Sequence, residues 1–130
     1  GDLISLFDTC LNEAGLAIAP EPKYSNNEAI KVGLLKAGEV NYNAGVVVYA
    51  HGSATMLKWA ESIVDMNGQF PGDQDVLSYL IRHEHLPVYE LPQIYNWRMA
   101  QGPNPKAVII HWVADWGKQH IKKEMILGKI

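Results

Sequence analysis

The chain has 130 residues, of which 48% are hydrophobic and 19% are charged, and its formal net charge is -3. These values are ordinary for a soluble globular protein and predict a single domain over residues 1–130. The basic residues are scattered along the chain, which argues against a nucleic-acid-binding surface. The longest apolar runs, 44–50 and 107–110, are far shorter than the roughly 20 residues that span a bilayer.

The N-terminus has no basic region and no small-residue cleavage site, so the sequence predicts no signal peptide and a cytoplasmic location. Cys10 is the single cysteine, which leaves it without an internal disulfide partner. Because Leu6, Phe7 and Leu11 surround it, we predict that Cys10 is a core residue rather than a reactive thiol.

Hydrophobic periodicity predicts the elements of the first half of the chain. Apolar residues recur at helical spacing near the N-terminus, which predicts a helix over about Leu3–Ala14. Leu16–Ala19 is a short apolar run stopped by two prolines and predicts a strand. The segment Tyr24–Val40 predicts a loop with a short helix. Ala44–Tyr49 is apolar throughout, which is typical of a central strand covered on both faces.

The second half of the chain predicts three helices and two short strands. Ser53 is placed to cap a helix whose inward residues are Leu57, Ala60, Ile63 and Val64. Another helix begins at Asp73 or Gln74, with a buried side formed by Val76, Leu77, Leu80 and Ile81. Strands are predicted at Val88–Leu91 and Ala107–Ile110, and a final helix at Lys118–Met125. This alternation of buried strands and helices predicts an α/β layer architecture.

Asp73-Gln74-Asp75 places two carboxylates at the start of a predicted helix. From position alone, Asp73 is interpreted as a helix cap that complements the helix dipole. Phe70-Pro71-Gly72 precedes this pair, so it does not follow a hydrophobic strand directly. The position therefore favours the structural interpretation.

His111 follows the predicted strand Ala107–Ile110, at the end where open α/β sheets place ligand contacts. An imidazole at a strand end is a candidate metal ligand. A structural role between Ile110 and Trp112 is the alternative.

Four short signatures occur in a fixed order: Tyr42-Asn43-Ala44-Gly45-Val46, Asp73-Gln74-Asp75, Leu91-Pro92 with Tyr95-Asn96, and Ile109-Ile110-His111 with Gly117-Lys118. Together they resemble the second half of a nucleotide-sugar-dependent glycosyltransferase with the GT-A fold, most like glycosyltransferase family 8. The resemblance implies a partial GT-A fold, with a mixed sheet and flanking helices, that lacks the N-terminal nucleotide-binding half.

The resemblance also implies roles for individual residues. The implied sugar contacts are Asn43, Ala44, Gly45, Asp73 and Gln74. Asp73 and Gln74 are the catalytic candidates, with Gln74 nearest the anomeric carbon. The Leu91-Pro92 and Tyr95-Asn96 stretch is interpreted mainly as scaffold beneath the sugar.

His111 is implied as the third ligand of Mn²⁺, beside two aspartates that lie upstream in the family. Gly117 and Lys118 are implied contacts of the diphosphate, in a turn at a helix start. This last match is partial, because the family places a proline and a tryptophan after the lysine and this chain does not. A solvated Lys118 is the alternative.

The chain opens with Gly1-Asp2-Leu3-Ile4, which resembles the segment after the family's Asp-x-Asp pair, so the nucleotide-binding half is expected upstream. The implied function is retaining, Mn²⁺-dependent transfer of a sugar from a UDP-sugar to an acceptor, with little activity in the isolated chain. The alternatives are a non-catalytic carbohydrate-binding or interaction module and an inverting GT-A enzyme. An uncovered sheet edge further predicts a homodimer.

Overall fold

The computed structural model describes residues 3–7, 14–66 and 68–129, and it is a mixed α/β structure. The helices are α1 (Ile4–Phe7), α2 (Asn26–Lys31), α3 (Ala54–Asp65), α4 (Asp73–His83) and α5 (Ala114–Ile126). The strands are β1 (Leu16–Pro20), β2 (Tyr42–Tyr49), β3 (Tyr89–Glu90), β4 (Trp97–Arg98) and β5 (Ile110–His111). Short 3₁₀ turns lie at Lys23–Ser25, Gln93–Asn96 and Met99–Gln101.

β1 is the centre of the described three-stranded sheet, whose order is β2-β1-β3. β2 pairs with it antiparallel, from Leu16 opposite Tyr49 to Pro20 opposite Tyr42, and the register shifts between Ile18 and Ala19. β3 pairs with it in parallel on the other side. In a separate two-stranded sheet, β4 and β5 run parallel and place Arg98 beside His111.

The two faces of β1 contact two different hydrophobic clusters. Leu16 and Ile18 pack with Trp59, Leu77 and Leu80 of α3 and α4. Ala17 and Ala19 belong to a second cluster with Leu6 and Leu91. Because side chains alternate across a strand, these four consecutive residues cover both faces and are fully buried.

β2 does not occupy the position predicted for it. We predicted a central strand covered on both faces, but within the described sheet β2 lies at an edge and Tyr49 is exposed. The shorter β1, which sits between two partners, is the covered strand. An uninterrupted apolar run indicates burial, but it does not say which of two apolar strands is central.

α3 begins after the predicted cap Ser53, but the face of the helix that is buried differs from the predicted one. The Ser53 hydroxyl caps the helix by accepting the backbone N–H of Met56 at 3.3 Å. The buried residues are Thr55, Trp59 and Ser62, whereas Leu57, Ala60 and Val64 are exposed and Ile63 is partly buried. The reason is Trp59, whose indole packs in the core and donates to the carbonyl of Asp73 at 2.9 Å. One large aromatic side chain outweighs the smaller apolar residues in setting the rotation of the helix.

The predicted buried side of α4 is confirmed for Val76, Leu77 and Leu80, and Ile81 is partly buried. Ser78 is also fully buried, and its hydroxyl accepts the backbone N–H of Tyr42 at 2.9 Å. This bond attaches the middle of α4 to the first residue of β2.

Several element boundaries differ from the predicted ones. The described part of the first helix ends at Phe7, and the rest of its predicted span, with Cys10, lies outside the described residues. The last strand contains Ile110–His111 rather than Ala107–Ile110, and α5 begins at Ala114 rather than Lys118. The short helix predicted within 24–40 is confirmed as α2. No helix in the described ranges has the length and apolar character needed to cross a membrane.

Candidate functional site

A buried carboxylate, Glu21, lies directly after β1 and is only 7% exposed. Its Oε1 accepts the side-chain amides of Asn43 at 2.7 Å and Gln74 at 3.1 Å. Its Oε2 accepts Nη1 of Arg98 at 2.7 Å and the hydroxyl of Ser25 at 2.8 Å. One side chain therefore joins β2, α4, β4 and the turn after β1.

The environment keeps Glu21 ionised. Burial by itself would raise its pKa, but the hydrogen bonds from Asn43 and Ser25 and the charge of Arg98 outweigh burial and hold the pKa below its ordinary value. The guanidinium of Arg98 balances the carboxylate charge, as a buried charge requires. A fixed ion pair is thus the centre of the site.

Asn43 connects this ion pair to a second amide. Asn43 is 5% exposed, and its Oδ1 accepts Nδ2 of Asn96 at 2.7 Å and the backbone N–H of Gly45 at 2.9 Å. Asn96 also donates to the carbonyl of Asn43 at 3.2 Å. We call the six linked side chains the Glu21 cluster: Glu21, Ser25, Asn43, Gln74, Asn96 and Arg98.

Gln74 belongs to this cluster, whereas Asp73 occupies a more exposed position. Gln74 lies in the first turn of α4, and its Oε1 accepts the N–H of Ala44 at 3.4 Å while its Nε2 donates to Glu21. Asp73 is exposed and accepts the N–H of Gln74 at 2.7 Å. The predicted N-cap at Asp73 is wrong, because Gly72 holds that position and Asp73 is the first helical residue. Its carboxylate still lies at the end of α4 that favours negative charge.

His111 packs directly against Gly45. A Cβ at Gly45 would lie 2.3 Å from both Cε1 and Nδ1 of the imidazole, so any larger residue would displace the ring. Within the described residues, the buried Nδ1 has no hydrogen-bond partner. Burial and the charge of Arg98 lower the pKa of His111, against the opposing effect of Glu21. The ring is therefore neutral near pH 7, which is the form that binds metals.

Manganese was expected at His111, and the described residues do not form a complete centre for it. No group of three or more His, Cys, Asp or Glu side chains in the described part of the chain is placed to hold a metal. The one carboxylate of the Glu21 cluster already accepts four donors. His111 thus offers one nitrogen ligand, and a six-coordinate Mn²⁺ would need others.

Gly117 and Lys118 lie apart from the turn predicted for them. Both are inside the first turns of α5, where Gly117 is buried and a Cβ on it would lie 3.0 Å from the backbone carbon of Trp112. Lys118 is exposed, and its Nζ is 3.8 Å from a carboxylate oxygen of Asp115. The contacts described for Gly117 and Lys118 are with α5 itself and with Trp112, which precedes the helix.

An open pocket with a volume of about 320 Å³ lies over the Glu21 cluster, and we call it the network pocket. Its size falls within the about 300–1,000 Å³ that is usual for small-molecule sites. Its lining residues are Glu21, Ser25, Ala29, Val32, Leu34, Asn41, Pro71, Gln74, Asp75 and Arg98. The lining thus combines charged and amide groups with apolar side chains.

Our sequence reasoning missed two main residues of this site, Glu21 and Arg98. Pro20-Glu21-Pro22 was interpreted only as the end of a strand, although a charged residue at the carboxyl end of a buried strand is a usable signal for a site. Arg98 had no comparable signal, because its pairing with Glu21 spans 77 positions.

Comparison of the chain with protein-family models, with curated proteins and with solved structures found no match.

Proposed function

We propose that the Glu21 cluster binds a sugar and that this chain is the part of a retaining glycosyltransferase that holds the transferred sugar of a UDP-sugar. The observation that supports the proposal is that one buried carboxylate orients two side-chain amides, Asn43 and Gln74, and that Gln74 lines an open pocket. Sugar hydroxyls both donate and accept hydrogen bonds, so fixed amides and carboxylates are suited to recognise them.

Gln74 is the residue best placed to act on the reacting carbon. Its amide is held at both ends, by Glu21 and by the N–H of Ala44, and it lines the network pocket. A dipole that is already oriented stabilises an oxocarbenium-like transition state without reorganising during the reaction. Asp73, exposed in the same turn of α4, would add negative charge near that carbon.

Arg98 is the positive charge that lines this pocket. One nitrogen of its guanidinium contacts Glu21, and a guanidinium carries five N–H donors in total. Its Nε has no partner among the described residues. We infer that Arg98 donates to an oxygen of the bound donor, either of the sugar or of its phosphate. This is a second candidate for the phosphate contact that the resemblance implies for Lys118.

A second candidate function is a carbohydrate-binding module without transferase activity. The Glu21 cluster is held in place by hydrogen bonds among its own residues. Such a preformed site would favour sugar binding that does not depend on UDP.

Calorimetry with UDP-glucose, UDP and free glucose, each with and without MnCl₂, tests both candidates. Gln74→Ala should weaken UDP-glucose binding about tenfold, because one hydrogen bond to a polar ligand is lost. Gln69→Ala is the matched control, since Gln69 is exposed and outside the pocket. Binding of free glucose that equals binding of UDP-glucose would favour the carbohydrate-binding module. Absence of binding by all three probes would contradict both candidates.

The same titrations test the role of His111. Manganese-dependent binding of UDP that disappears in His111→Ala would support a ligand role for the imidazole. Binding that is independent of Mn²⁺ and unchanged in His111→Ala would assign His111 to the packing against Gly45 alone.

A further inference from the structure

A second pocket, with a volume of about 460 Å³, shares Glu21 with the network pocket, and we call it the Glu90 pocket. Its lining residues are Pro20, Glu21, Lys23, Asn26, Ile30, Gly38, Glu39, Val40, Glu90 and Gln93. None of the sequence signatures falls in this lining. Because Glu21 lines both pockets, ligands in the two pockets would lie on either side of one side chain.

Two of the three carboxylates that line the Glu90 pocket are paired with arginines that lie outside its lining. Glu21 pairs with Arg98, and Glu39 lies 3.6 Å from Nε of Arg82 while accepting the N–H of Lys36 at 2.8 Å. The remaining lining charges are Glu90 and Lys23, which are opposite in sign. A pocket with this balance gains little from a charged ligand, so its chemistry favours a neutral one.

The carboxylate of Glu90 is held in position by a hydrogen bond. Glu90 accepts the phenol of Tyr42 through Oε1 at 2.9 Å. Burial, with the hydrogen bond to Glu90, raises the pKa of Tyr42 well above its ordinary value, so the phenol stays protonated and continues to donate. This contact orients Glu90 and leaves its other oxygen to accept from a ligand.

The lining also contains apolar side chains and the side-chain amide of Gln93. Ile30, Val40 and Pro20 present C–H groups, while the amide of Gln93 lies 3.5 Å from the carbonyl of Pro20. A pyranose has an apolar C–H face and a rim of hydroxyls, which matches apolar side chains beside fixed acceptors and donors.

We propose that the Glu90 pocket binds a neutral saccharide that is the acceptor of the transfer. This inference rests on the proposed function. An acceptor hydroxyl oxygen forms a bond to the anomeric carbon of the donor sugar, and the bond from that carbon to the UDP phosphate oxygen breaks. UDP leaves with the electron pair, and the hydroxyl proton passes to the leaving phosphate oxygen. In this step the Glu90 pocket holds the acceptor, and the Glu21 cluster holds the donor sugar.

The test is calorimetry with three monosaccharides of one size, namely glucose, glucosamine and glucuronate. Glucose should bind more tightly than either charged analogue. Glu90→Gln should weaken glucose binding about tenfold, because a charge-assisted hydrogen bond becomes a neutral one. UDP-glucose binding should be unchanged in this variant. Glu61→Gln, at an exposed position on α3, is the matched control.

A second variant fills the pocket rather than changing its charge. Ile30→Trp should abolish glucose binding at this site, whereas Val64→Trp, on the exposed face of α3, should have no effect. Circular dichroism checks that both variants fold.

The outcomes separate the two proposals. Glucose binding that is insensitive to Glu90→Gln and Ile30→Trp, or tighter binding of a charged analogue, would overturn the acceptor pocket. UDP-glucose binding that responds to Gln74→Ala would still support the donor site in that case. Glucose binding that requires Glu90, without any UDP-glucose binding, would support the pocket as a saccharide site and contradict the transferase function.

Discussion

The Glu21 cluster and α5 both contain residues that the sequence marks as candidates, and the two regions differ in how they are held. The cluster joins residues of β2, α4, β4 and two 3₁₀ turns through hydrogen bonds, and its central carboxylate is 7% exposed. In α5, Trp116 is 51% exposed and Ile126 is 85% exposed. A side chain fixed by several long-range contacts is preorganised for a ligand, whereas a helix with a largely exposed surface relies on local contacts.

The largest effect is expected at the centre of the cluster. Glu21→Ala removes the acceptor of four donors and leaves the partly buried Arg98 without its partner, so it should lower the free energy of unfolding by about 3 kcal/mol. Urea unfolding followed by tryptophan fluorescence measures this change. Glu61→Ala, an exposed control on α3, should change stability by no more than about 0.5 kcal/mol. Equal effects of the two substitutions would contradict the central role of Glu21.

Replacing one glycine beside the Glu21 cluster and one in α5 compares how tightly the two regions are packed. Gly45→Ala forces the imidazole of His111 to move, since the added Cβ would lie 2.3 Å from it, and should cost about 1–3 kcal/mol. Gly117→Ala in α5 creates a milder contact of 3.0 Å with Trp112, and the higher helix propensity of alanine offsets part of that cost. Thermal unfolding of both variants should show the larger loss for Gly45→Ala. The reverse order would mean that α5 is the more tightly packed region.

Stability should depend on pH through Glu21. The pKa of this carboxyl is lower in the folded protein than its ordinary value of 4.5, so the unfolded chain takes up the proton first. The stabilisation is therefore fully present above the unfolded pKa and is lost as the pH falls through the folded pKa. Glu21→Gln should flatten this acid limb in unfolding curves recorded from neutral pH down to about pH 3. Asp75, whose pKa is raised by burial, contributes with the opposite sign.

The smallest effect on stability is expected at Lys118. Its side chain is exposed and weakly paired with Asp115, so Lys118→Gln should change stability by no more than about 0.5 kcal/mol. UDP-glucose calorimetry then compares it with Arg98→Lys. Weakening by Arg98→Lys alone would assign the donor-binding charge to the cluster, whereas weakening by Lys118→Gln would support the phosphate contact implied by the resemblance.

Self-association stays a prediction. Light scattering over a range of concentrations measures it directly, and a monomer at high concentration would contradict the homodimer.

The sequence by itself determined the elements whose signals are local. The stripe Val76, Leu77 and Leu80 predicted the buried side of α4, and Ser53 predicted the start of α3, because helical spacing and capping involve neighbouring residues. It also marked Asn43 and Gln74, which the structure brings to one carboxylate.

The tertiary structure decided the features that depend on distant contacts. The indole of Trp59 set which face of α3 is buried, and the two partners of β1 set which strand is central. Glu21 follows β1 and Arg98 lies in β4, and only the tertiary structure brings them into one ion pair. Pairings between residues far apart in the chain leave no local period or cap, and for this reason composition and spacing did not reveal the charged centre of the site.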